Sequence, residues 1–217
     1  MNISPDKENI LKAIRKALTQ STPLPFSKSE GNSSVFQPLQ QEPEIEFAER
    51  FTSLMGKFVY CMNREELAAQ LRALIVQQNW SKVYCPDPDL QQQLPGVPFT
   101  PTGIQELRDC DVAITGCECL IARTGTVVLS AAIAGGRTVS VYAPVHICVA
   151  YTSQLVPDIR DGLVLLQEKY GPDIPSMISF ATGPSRTADI EKTLVVGVHG
   201  PGETYVFLID DRDNANP

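Results

Sequence analysis

Residues 57–85, KFVYCMNREELAAQLRALIVQQNWSKVYC, decide the fold. KFVYC reads as a short buried strand. Asn63 then stands three residues before Glu66, the spacing of a capping box that starts a helix. Leu67, Leu71, Leu74 and Ile75 repeat on one helical face. KVYC follows as a second strand. A strand, a helix of that length and another strand predict parallel pairing, because the helix is the crossover a parallel pair needs. The expected class is α/β: a mixed, largely parallel sheet flanked by helices.

Toward the N-terminus, EIEFAERFTSLMG (44–56) reads as a helix ending at Gly56. Residues 4–20 predict another, with Ser4 as N-cap, Pro5 at the first helical position, and Ile10, Ile14 and Ala17 on one stripe beside Leu11 and Leu18. Ser21–Pro43 is rich in proline and serine and lacks periodicity, as a linker or wrapped arm would. The expected organisation is an N-terminal helix and linker, 1–43, and one α/β domain, 44–217. The first helix is free to dock on the main domain or on another subunit, which leaves a homo-oligomer open.

Toward the C-terminus the pattern changes. DVAIT, ECLIA, TVVLSA, RTVSVY and HICVA, between Asp111 and Ala150, read as five short strands joined by turns, so hairpins join the parallel pattern. A helix follows Pro157 with Ile159, Leu163, Leu166 and Tyr170 on one face. SMISFA and TYVFLID are the last strands.

The 217 residues are 43% hydrophobic and 20% charged, with a net charge of −7. An acidic chain without a basic block argues against nucleic-acid binding, which needs clustered cations for phosphates. It offers no polybasic membrane patch, and no apolar run approaches the roughly 20 residues of a membrane span. The polar start carries no export signal. A cytoplasmic protein with reduced thiols at its six cysteines is expected. Cys110, Cys117 and Cys119 lack the spacing of an iron–sulfur motif.

The stretch from 181 to 203, ATGPSRTADIEKTLVVGVHGPGE, concentrates turn residues and charge after a strand. Ligands in open α/β sheets bind beyond carboxyl ends of strands. Gly183 shapes the turn, while Ser185, Arg186 and Thr187 offer hydroxyls, a guanidinium and backbone N–H groups. A helical turn from Ala188 would aim those N–H groups at a small carboxylate or phosphate. Asp189 and Glu191 could orient Arg186 or act on a proton. His199, between Gly197 and Gly200, can give or take one near neutral pH. Thr124, Gly125 and Thr126 could present hydroxyls and N–H groups to an anion. The plainer alternatives are an Arg186–Asp189 pair in a tight loop, a hydrogen-bonded turn histidine and an ordinary hairpin turn. His146 has no metal-type neighbours in sequence.

RTGTVVLS (123–130), APVHICV (143–149), GPSRTADIE (183–191) and GVHGP (197–201), in that order, resemble the LUD-domain family of lactate-utilisation proteins (LutC/YkgG type) over roughly residues 44–210. The resemblance implies a fold similar to the NagB/RpiA/CoA-transferase group. It also implies a cytosolic part in oxidising L-lactate to pyruvate beside iron–sulfur partner proteins. It implies no settled catalytic residues. It departs at Arg123, where many members carry Glu. With no flavin, nicotinamide or cluster motif, the clusters are expected on the partners and no cofactor on this chain. The alternatives are a stand-alone enzyme of the CoA-transferase/sugar-phosphate isomerase fold group, for which Glu118 or Glu191 would serve as nucleophile, and a non-catalytic scaffold subunit.

Overall fold

A computed structural model of the chain describes residues 5–19, 38–100, 104–190 and 193–212. Contacts divide the chain into two units, residues 1–36 and 37–217. The first contains helix α1 (Pro5–Leu18), on which Ile10 and Ile14 are exposed.

The second unit runs α2 (Pro43–Ser53), β1 (Lys57–Cys61), α3 (Arg64–Gln77), β2 (Val83–Tyr84), α4 (Pro88–Gln92), β3 (Val112–Thr115), β4 (Cys119–Ile121), β5 (Thr126–Ser130), α5 (Val139–Tyr142), β6 (Val145–Tyr151), β7 (Leu155–Val156), α6 (Ile159–Tyr170), β8 (Ile178–Ala181), β9 (Arg186–Ile190), β10 (Thr193–Val196) and β11 (Glu203–Ile209). Five strands, ordered β1-β11-β6-β3-β2, form a wholly parallel sheet. A second sheet, β7-β4-β5-β8, is mixed, and β9 and β10 form a separate hairpin.

The parallel sheet is apolar on both faces because both are covered. Val145, Ile147 and Val149 of β6 point one way, with Phe207 and Ile209 of β11, onto Leu67, Leu71 and Ile75 of α3. Each such side chain contributes about 1.5–3 kcal/mol by leaving water. Cys148, Ala150, Val206 and Leu208 point the other way, onto Phe47 and Phe51 of α2 and Leu120, Val127 and Leu129 of the mixed sheet. Cys119, Ile121 and Val128 turn outward to Leu166 of α6. The layers are α3 with α4, the parallel sheet, the mixed sheet with α2, and α6. No helix among the described residues is long and apolar enough to cross a membrane.

The expected α3 start is present in modified form. Asn63 Oδ1 accepts from Glu66 N at 2.9 Å, while the Glu66 carboxylate accepts from Met62 N, one residue before the cap, at 2.8 Å. The capping residue of α6, Asp158, accepts from Ile159 N at 2.6 Å and pairs with Arg123, whose guanidinium holds its carboxyl below the usual range. The departure at Arg123 is thus answered locally by an acid.

Several expectations are corrected. RTVSVY is not a strand: Val139–Tyr142 is a short helix that buries Val139 and exposes Val141 and Tyr142. Four alternating residues carry too little periodicity to separate strand from helix. On α6, Ile159 and Leu163 face out, and the inner side holds Gly162 and Leu166. Gly162 packs on Cys119 and Ile121, and a Cβ there would meet the Cys119 sulfur at an ordinary contact distance of 3.4 Å. No helical turn begins at Ala188. Arg186–Ile190 is a strand whose Arg186 and Thr187 lie opposite Val196 and Val195, so β-branched pairing prevails over a helix start.

Candidate anion-binding site

The strand before the 181–203 stretch, β8, belongs to the mixed sheet. The stretch therefore does not leave the carboxyl edge of the parallel sheet. It reaches the opposite edge, where β6 and β11 begin. Ser185 N donates to Pro201 O at 2.9 Å, and Gly197 N donates to Ser185 O at 2.9 Å. Gly202 N donates to Pro144 O, just before β6, at 2.9 Å. Gly197 has φ +80°, and a Cβ on it would come within 2.9 Å of Gly202 Cα, so the turn closes only with glycine at 197. A Cβ on Gly200 would meet that of Ser185 at 3.0 Å.

This loop forms one wall of a cleft of about 480 Å³, with His199 and Gly200 facing Arg108, Tyr142 and Pro144. The Arg108 guanidinium lies 4.9 Å from the centre of the Tyr142 ring, a cation–π arrangement that orients it. Among the described residues Arg108 makes no ion pair. A planar cation and an imidazole thus share one small concavity, an arrangement suited to a carboxylate or phosphate. The guanidinium in it is Arg108, not Arg186.

The other candidates fall elsewhere. Arg186 opens the hairpin, exposed, and does not line this cleft. Thr187 and Asp189 lie on the same strand; Glu191 lies outside the described residues. Ser185 backs Gly200. Thr124, Thr126 and Thr182 form a chain of hydroxyls, at 2.7 and 2.8 Å, at the entry to β5. Gly125 has φ +60°, and a Cβ there would sit 2.6 Å from Phe51 N; Gly183 has φ +74° and meets Leu54 O at 2.5 Å. These two glycines admit the backbone of the α2 end. Nothing in the local sequence IQELRDC marks Arg108; it enters the site through α5, which packs beside it.

His146 and Glu118 are internal fixtures. His146 is buried, its Nε2 lies 2.8 Å from Thr115 Oγ1, and burial pushes its pKa down to about 4. The Glu118 carboxylate accepts from Lys169 Nζ at 2.8 Å, Tyr170 Oη at 2.7 Å and Ser130 Oγ. Burial raises its pKa, but those three bonds outweigh it and the carboxyl stays below its ordinary value. All six cysteines are free and buried.

A second cleft, of about 790 Å³, opens at the carboxyl edge of the parallel sheet beside Arg64, Tyr151, Ser153 and Asp211.

The LUD domain family model matches residues 103–209, which include Arg108, α5 and the whole 197–202 loop. Lactate utilization protein C of Geobacillus sp. is 40% identical over 111 residues, and that of Bacillus subtilis 38% identical; the match spans 50% of this chain and 46% of each relative. The matched part is thus about half of those proteins. A crystal structure of a DUF162 family protein from Deinococcus radiodurans superposes with a TM-score of 0.56 at 22% identity, covering 85% of this chain and 99% of that one. That likeness concerns the fold: a largely parallel central sheet flanked by helices, as expected. Over residues 103–209 the chain carries a LUD domain.

Proposed function

We propose that this chain is a cytoplasmic component of a system oxidising L-lactate to pyruvate with iron–sulfur partner proteins, and that its part is to hold a small carboxylate between Arg108 and His199. The observation that carries the reading is that the segment matched by the LUD domain model contains every residue of the Arg108–His199 cleft. Arg108 would take the carboxylate in a two-pronged, charge-assisted bond, and His199 would face the hydroxyl-bearing carbon and receive the hydroxyl proton, while the proton from the C–H bond passes to solvent. The two electrons would leave through clusters on the partners, with no cofactor on this chain. The transferase alternative gains nothing from Glu118, whose carboxylate is sealed and engaged by three internal donors.

The test has two parts. Titration calorimetry with L-lactate and pyruvate should show binding that Arg108→Ala weakens at least tenfold, the loss of about 1.5–3 kcal/mol usual for a charged hydrogen bond. In a strain lacking this chain, Arg108→Ala and His199→Ala should fail to restore growth on L-lactate. Normal growth with both variants, folded and expressed, would overturn the reading.

A further inference from the structure

The carboxyl-edge cleft has a different chemistry. Cys61, Ile209 and Tyr151 are register partners, so β1, β11 and β6 end level. The chain leaves each strand into the cleft wall: Asn63–Glu65 at the start of α3, Ser153 after β6 and Asp211 after β11. In open parallel sheets this edge is where ligands settle. At about 790 Å³ the cleft lies in the upper part of the roughly 300–1,000 Å³ usual for drug-sized ligands, too roomy for a three-carbon acid alone.

Two groups in it are prepared for a ligand. Arg64 makes no ion pair among the described residues, and its guanidinium stands 6.0 Å from the centre of the Tyr151 ring. Asp211 is fixed: its Oδ1 accepts from Thr152 Oγ1 at 2.6 Å and Ser153 N at 3.0 Å, and its Oδ2 from Ser153 Oγ at 2.5 Å. Oδ1 is filled by its two donors, so Oδ2 keeps one free lone pair, room for a single ribose hydroxyl. Glu65 and Asp211 share the cleft with Arg64 as the one cation of its lining, which favours a single phosphate over a polyphosphate. An adjoining cleft of about 390 Å³ shares Arg64 and Glu65 and is edged by the amides of Gln92 and Gln93. Gln93 is itself anchored by the Tyr151 hydroxyl.

We infer that this edge binds a nucleoside monophosphate, with the phosphate on Arg64, one ribose hydroxyl on Asp211 Oδ2 and the base toward Gln92 and Gln93. The site is separate from the Arg108–His199 cleft, and its test does not depend on that reading.

The test is calorimetric titration of the full chain with four probes: adenosine 5′-monophosphate, its 2′,3′-dideoxy form, adenosine and inorganic phosphate. The monophosphate should bind at least tenfold tighter than each of the others. Arg64→Gln should lower it to the affinity of adenosine while leaving adenosine unchanged. Asp211→Asn should lower it to that of the dideoxy form. Should Asp211→Asn fail to fold, the Arg64 arm decides, because the Arg64 side chain anchors no ion pair. Binding no tighter than inorganic phosphate, or full affinity in Arg64→Gln, would overturn the inference. So would loss of binding in His199→Ala with Arg64→Gln intact, which would place the nucleotide in the other cleft.

Discussion

A buried imidazole with a pKa near 4 makes stability depend on pH in a definite direction. The unfolded chain takes up a proton at His146 near the ordinary value of 6.5, and the fold resists it down to about 4. Between those values the unfolded state binds more protons, so stability is complete above about pH 6.5 and is lost as pH falls toward 4. Between pH 7 and pH 5 the loss should be about 2 kcal/mol. Urea denaturation at the two pH values measures it, and His146→Gln, which does not titrate, should remove that portion. Glu118 acts lower: its depressed pKa adds stability above its ordinary 4.5 that is lost below it. At this scale the sequence was partly legible. His199 stood out between glycines, and it does line a cleft. Its cationic neighbour did not stand out, because Arg108 meets Tyr142 only through tertiary packing. Asp211 and Arg64 were equally silent, since their meaning lies in three strands ending level.

Elements were legible where periodicity and caps agreed. Residues 57–85 form the strand, capped helix and strand that their pattern predicts. They failed where a segment was too short, as in α5, or where a partner strand decided, as in β9. The division of strands between two sheets was invisible for the same reason: pairing of β5 with β8, about 50 residues apart, leaves no local mark. The Thr124–Thr126 turn shows how an element-level contact fixes a residue. Gly125 was expected to serve a ligand, yet its missing Cβ makes room for the α2 backbone at Phe51. Gly125→Ala should therefore push α2 from the turn and cost about 1–3 kcal/mol by strain and overpacking. A chemical-denaturation midpoint reads this directly; an unchanged midpoint would mean that α2 yields freely.

At the scale of the whole molecule, β11 and β6 lie between other strands of the parallel sheet and are covered on both faces, whereas among the described residues β9 and β10 pair only with each other. Hydrogen exchange should find the slowest amides in β6 and β11 and much faster exchange in the hairpin, because opening the central strands requires disrupting the core. Equal rates would show that the hairpin is held by contacts beyond its own pairing. The seven residues of β6 carry one cleft at each end, Pro144 before it and Tyr151 closing it. At about 3.3 Å per residue the two mouths stand on the order of 20 Å apart on a stiff rod. Two guests seated there could neither touch nor compete. Saturating one cleft while titrating the other would thus give a direct reading of whether the rod carries any message, and a null result would make each cleft the other's internal standard.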